Sequence, residues 1–75
     1  MIVHRYHVIP YGDIDGSNRR FRVPTSYIPG SMRVMLNGLN LPVTEITEFP
    51  DEGLFDLKDA PLVGDVVWCH YDIEV

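Results

Sequence analysis

The sequence predicts an all-β fold, a small antiparallel β-sandwich or barrel-like module. Three observations carry that expectation. Apolar and polar residues alternate with a period of two in several short runs, as half-buried strands require. Six prolines and six glycines are spread through 75 residues, and no window of about 11 residues carries a helical stripe. Asn37-Gly38 stands between two such runs. Asn-Gly is the strongest short-range hairpin signal, because a type I′ turn needs positive φ at both central residues and these two tolerate it best.

Each element follows in order. Residues 2–9 form a strand with Ile2, His4, Tyr6 and Val8 on one face and Val3, Arg5, His7 and Ile9 on the other. The face holding Ile2, Tyr6 and Val8 is the more apolar. Pro10-Tyr11-Gly12 ends this strand, and residues 13–18 read as a loop. Residues 19–23 form a short strand with Phe21 and Val23 on one face and Arg20 and Arg22 on the other. Pro24 and Pro29-Gly30 bracket a corner that holds Tyr27. Residues 31–36 alternate, with Met32, Val34 and Leu36 facing one way. Leu39 and Leu41 begin the return strand, which Pro42 confines to a sheet edge or ends early. Residues 44–49 are the next expected strand, 50–53 a turn, and 54–57 a short apolar strand. The last strand, residues 66–73, points Val67, Cys69, Tyr71 and Ile73 to the core. Trp68 stands on the opposite face with Val66, His70 and Asp72. The expected core is Phe21, Val34, Leu36, Phe55, Val67, Cys69 and Tyr71.

Length and charge narrow the function classes. Seventy-five residues make one domain near the lower limit for an independent core. Cys69 is the only cysteine, so no disulfide forms within the chain, and in its valine-rich run it reads as a small buried hydrophobe. Association with other copies is then the expected source of extra stability. The net charge is −5, which disfavours nucleic acid. Arg19, Arg20, Arg22 and Arg33 lie mid-chain, whereas Lys58 is the one basic residue from Glu45 to Asp72. These opposite charges meet either within one fold or between neighbouring copies. No signal peptide and no run of about 18 apolar residues is present, so the expectation is a soluble chain made in the cytoplasm, with no membrane contact.

No motif carries catalytic chemistry. Residues 13–18, Asp-Ile-Asp-Gly-Ser-Asn, have the oxygen spacing of a calcium loop. They lack its downstream Glu and run straight into Arg19-Arg20, so an Asx-type turn is expected instead. His4 and His7 are three apart, which on a regular strand puts them on opposite faces, and no metal site is expected. Ser17, Ser26 and Ser31 are turn serines outside any nucleophile elbow. Neither an enzyme nor a cofactor is expected.

The order of turn motifs resembles a module common in bacteriophage virion proteins, especially tail-fibre and baseplate-associated ones. The residues that carry the resemblance are Asp15, Gly16 and Asn18, then Phe21 and Pro24. Next come Tyr27, Pro29, Gly30 and Ser31, followed by Val34, Leu36, Asn37 and Gly38. Phe55, Ala60, Pro61, Gly64, Asp65, Val66 and Tyr71 close the pattern. It covers residues 13–71 of the single domain 1–75, behind an extra N-terminal strand at 1–10. Pro42 and residues 48–52 depart from it. The resemblance implies a β-sandwich building block of a virion and no catalytic residues. Standing nearly alone, the module is suited to an adaptor, a capsid-decoration subunit or a small tail component. The expected partners are other virion proteins and further copies of the chain in a homo-oligomer. The expected interface comprises Trp68, His70, Ile2 and Tyr6, with Arg19, Arg20 and Arg22 meeting acidic residues of a neighbour and the first strand pairing with its sheet edge. The alternative is a carbohydrate-binding module, with Trp68, Tyr27 and Tyr11 stacking on sugar rings. A regulatory or toxin-neutralising partner fits the acidic charge, with no motif in its favour.

Overall fold

Short strands are stable only in sheets that bury one face, and the chain builds two such sheets. A computed structural model describes all residues, 1–75. Seven strands follow in order: β1 (Ile2–Val8), β2 (Arg20–Arg22), β3 (Arg33–Leu36), β4 (Leu39–Asn40), β5 (Ile46–Phe49), β6 (Leu54–Leu57) and β7 (Val67–Glu74). A four-stranded sheet has the order β1-β7-β3-β4, and a three-stranded sheet has the order β2-β6-β5. All pairings are antiparallel. The fold is a small all-β sandwich. No helix is long and apolar enough to cross a membrane.

The core lies between the sheets. Phe21, Phe55 and Leu57 come from the smaller sheet, and Val34, Val67, Cys69, Tyr71 and Ile73 from the larger. Phe21 and Phe55 are direct cross-strand partners, stacked with ring centres 5.7 Å apart. Met32, Val23 and Tyr27 complete the buried set. The carbohydrate-binding alternative needs Tyr27 exposed, but Tyr27 belongs to the core. Its hydroxyl donates to the Leu54 carbonyl at 2.5 Å, which satisfies the one polar atom that burial would otherwise strand. Leu36 is only half-buried, since it stands one residue before the hairpin at the sheet's end.

Two boundaries differ from expectation. The segment expected to be a strand from residue 44 opens instead with a 3-10 turn, Val43–Glu45, and extends only from Ile46. Pro42 starts that turn, accepting a hydrogen bond from Glu45 N–H at 2.9 Å. The return strand β4 is two residues long, as Pro42 supplies no donor to extend it. The β3–β4 turn is a two-residue loop with φ of 53° at Asn37 and 84° at Gly38.

The faces of β1 also differ from a regular alternation. Arg5 pairs with Tyr71, but Val8 pairs with Cys69. Tyr6 and His7 therefore oppose the single residue His70, a β-bulge, and His7 takes φ 54°. Val3 and Val8 both pack against the core, while Ile2 and Tyr6 stay exposed on the outer side.

Candidate functional site

The bulge assembles the most distinctive surface of the molecule, the outer face of the four-stranded sheet. On β7 the even-numbered residues Trp68, His70 and Asp72 point outward, opposite the buried Val67, Cys69, Tyr71 and Ile73. On β1, Ile2 lies across from Glu74 and His4 across from Asp72. The two bulge residues then flank His70. Tyr6 meets its ring edge-on at 5.2 Å, and His7 at 5.0 Å. The His7 ring also stands edge-on to Trp68 at 5.4 Å. Met35 on β3 is the direct cross-strand partner of Trp68. All three histidines of the chain thus share one face. The expectation that His4 and His7 point to opposite faces fails because the bulge adds one residue between them and β7.

Polar contacts on this face are uneven. His4 Nδ1 lies 2.5 Å from Asp72 Oδ1. Asp72 is itself held at the backbone, its N–H donating to Ser31 Oγ at 3.1 Å and its carbonyl accepting from Ile28 N–H at 2.8 Å. His70 Nε2, in contrast, is buried with no hydrogen-bond partner. Two shallow depressions adjoin His70 and Trp68. One, of about 610 Å³, is lined by His7, Met35, Asn37, Gly38, Val66 and Trp68. The other, of about 450 Å³, includes Arg5, Tyr6, Arg33, His70 and Asp72. Trp68 is 36% exposed and Tyr6 61%, so both present apolar surface that no part of the chain covers.

The other residues expected at an interface lie elsewhere. Arg20 and Arg22 project from β2, on the outer side of the smaller sheet. Arg20 is engaged within its own chain: it forms a two-pronged pair with its cross-strand partner Asp56 at 2.8 and 3.1 Å, and its guanidinium lies over Phe49. That hydrogen-bonded pair holds the Asp56 carboxyl below the usual carboxylate range. Arg22 lies over the Tyr11 ring, and Arg19 reaches the Lys58 carbonyl at 3.4 Å. The basic middle and the acidic half of the chain thus meet, at Arg20, inside one fold. The three aromatics proposed for sugar stacking do not share a surface. Tyr27 is buried, and Tyr11 and Trp68 line different depressions.

The free edge of β1 is open but guarded. Met1 and Val75 exchange both backbone hydrogen bonds, so by alternation the outward-facing groups belong to Ile2, His4 and Tyr6. The bulge at the far end and the charge of Arg5, which lies across from Tyr71, are devices that limit edge-to-edge pairing.

Nothing here is arranged as an activated nucleophile. Burial pushes the Cys69 thiol up to about 12, which keeps it protonated and inert. Asp15 accepts the backbone N–H groups of Ser17 and Asn18, both at 2.8 Å, in an Asx-type turn. These bonds, with that from Asn18 the larger influence, hold its carboxyl below the ordinary range. No group of three or more His, Cys, Asp or Glu side chains converges as a metal site. Comparison with known protein families, with curated proteins and with solved structures finds no match to this chain.

Proposed function

We propose that this chain is a non-enzymatic structural subunit of a bacteriophage-type virion, docking on its neighbours through the outer face of the four-stranded sheet. The observation that carries the docking half is the exposed surface of Tyr6, His7 and Trp68, with half-buried Met35 and His70 beside them. Aromatic residues and Met are enriched where protein interfaces bury their centres. The opposite sheet offers less, because its arginines already have partners. The virion half rests on the ordered turn motifs from Asp15 to Tyr71. A sheet face suits such docking better than the guarded β1 edge.

Sedimentation of the purified chain over a wide concentration range, together with a particle map, tests this. The chain is expected to associate, or to occupy a defined place in a particle, with Trp68 in the contact. Tyr6→Asp should weaken that contact by at least about tenfold, the loss expected when a charge enters a desolvated patch. Arg22→Asp, on the other sheet, should not. A chain that stays monomeric at all concentrations and is absent from purified particles overturns the reading.

A further inference from the structure

We infer that His7 and His70 form a two-histidine site for a divalent transition-metal ion of the zinc, nickel or copper class. Three observations converge. The bulge places both rings on one face with centres 5.0 Å apart. Two imidazoles on one tetrahedral ion have metal–nitrogen distances of about 2.0–2.1 Å, which puts their ring centres roughly 5 Å apart. His70 Nε2 is a buried ring nitrogen without a partner, an atom that gains a bond if it ligates. His7 is exposed, and no hydrogen bond holds its ring.

The third histidine, His4, stands apart from this pair. Its ring contact is with Tyr6, at 5.9 Å, and not with His7 or His70, and its Nδ1 is held on Asp72. The site therefore has two protein ligands and open positions that water fills. Binding in this site requires the His7 ring to turn about its side-chain torsions until one of its nitrogens and His70 Nε2 reach the same ion. Imidazole selects zinc, nickel and copper over magnesium and calcium, which prefer oxygen. This inference stands apart from the virion reading and holds for an isolated copy.

The test is a titration of the full chain with Zn²⁺ and Ni²⁺, with Mg²⁺ as the control. Under Zn²⁺, the imidazole NMR signals of His7 and His70 should shift together and saturably, while those of His4 stay in place. Ni²⁺ should quench the fluorescence of Trp68, the only tryptophan, whose ring is 5.4 Å from His7. His7→Gln and His70→Gln should each lower the affinity by at least about tenfold. His7→Gln changes an exposed side chain, and its β-rich circular dichroism spectrum verifies the fold. His4→Gln should bind as the parent chain does. No saturable binding, unchanged binding in His7→Gln, or binding lost in His4→Gln overturns the inference.

Discussion

Gly53 and Gly38 both take a positive φ, 67° and 84°, in different surroundings. An alanine at either position pays the left-handed penalty of about 1–2 kcal/mol. At Gly38 nothing lies within 4 Å of the added methyl, so the cost stops there. At Gly53 the methyl would stand 2.8 Å from the Thr25 carbonyl oxygen and 3.2 Å from that of Val23. Those are backbone atoms and have little room to retreat. The Val23 N–H bonds the Gly53 carbonyl at 2.9 Å, and the Tyr27 N–H bonds the Pro50 carbonyl at 3.1 Å. A shift of this corner would drag buried Tyr27 with it. Overpacking of this kind adds about 1–3 kcal/mol. Gly53→Ala should therefore cost about 2–5 kcal/mol and Gly38→Ala about 1–2 kcal/mol. A chain of this length has about 4–11 kcal/mol in total, at roughly 0.05–0.15 kcal/mol per residue. Urea unfolding followed by circular dichroism and Trp68 fluorescence reads the difference. With a slope of about 1 kcal/mol/M, the two midpoints should separate by at least about 1 M. Equal midpoints would refute the claim that backbone crowding, beyond φ alone, reserves position 53 for glycine.

Two further outcomes are expected. Phe55→Ala empties a fully enclosed site stacked on Phe21 and should cost about 3–5 kcal/mol, a large share of the total, read as a marked drop in the calorimetric melting temperature. Lowering pH should destabilise the fold below about pH 4. Asp15, Asp56 and Asp65 all have depressed folded-state pKa values, so their contribution is present above the unfolded range and is lost as pH falls through the folded one. Asp56→Asn, which removes the carboxylate facing Arg20, should flatten that acid limb in a plot of melting temperature against pH.

Much of the fold was legible because it follows local rules. The period-two runs locate β3, β6 and β7 within about two residues, and the buried face of β7 is the one its alternation assigns. What was not legible depends on contacts across the chain. Tyr27 sits in a loop between prolines with no alternation to read, and only its packing on Tyr71 and its bond to Leu54 show it to be core. Arg20 reads as a free surface cation until β2 pairs with β6 and sets Asp56 directly opposite. The site residues Trp68 and His70 were readable as outward-facing from their strand. That His7 joins them was not, because the bulge is visible only once β1 is laid against β7.

That bulge has a cause in the sequence. Val3 and Val8 are five apart, an odd number, so on a regular strand they face opposite ways. The core takes both, packing them beside Ile73 and Cys69. One extra residue between Arg5 and Val8 reconciles the two demands, and His7 absorbs it at φ 54°. The strain at His7 is thus explained by the core and is not itself evidence of function. Its consequence lies on the other side of the sheet. The insertion sets two side chains, Tyr6 and His7, against the single His70, packing rings more densely than a regular ladder allows. It also breaks the ladder at the end of β1, blunting the edge. One inserted residue therefore both blunts the edge of the sheet and crowds aromatic rings onto its outer face. The face is where Trp68 and Met35 already sit, and where a ring nitrogen of His70 remains without a partner.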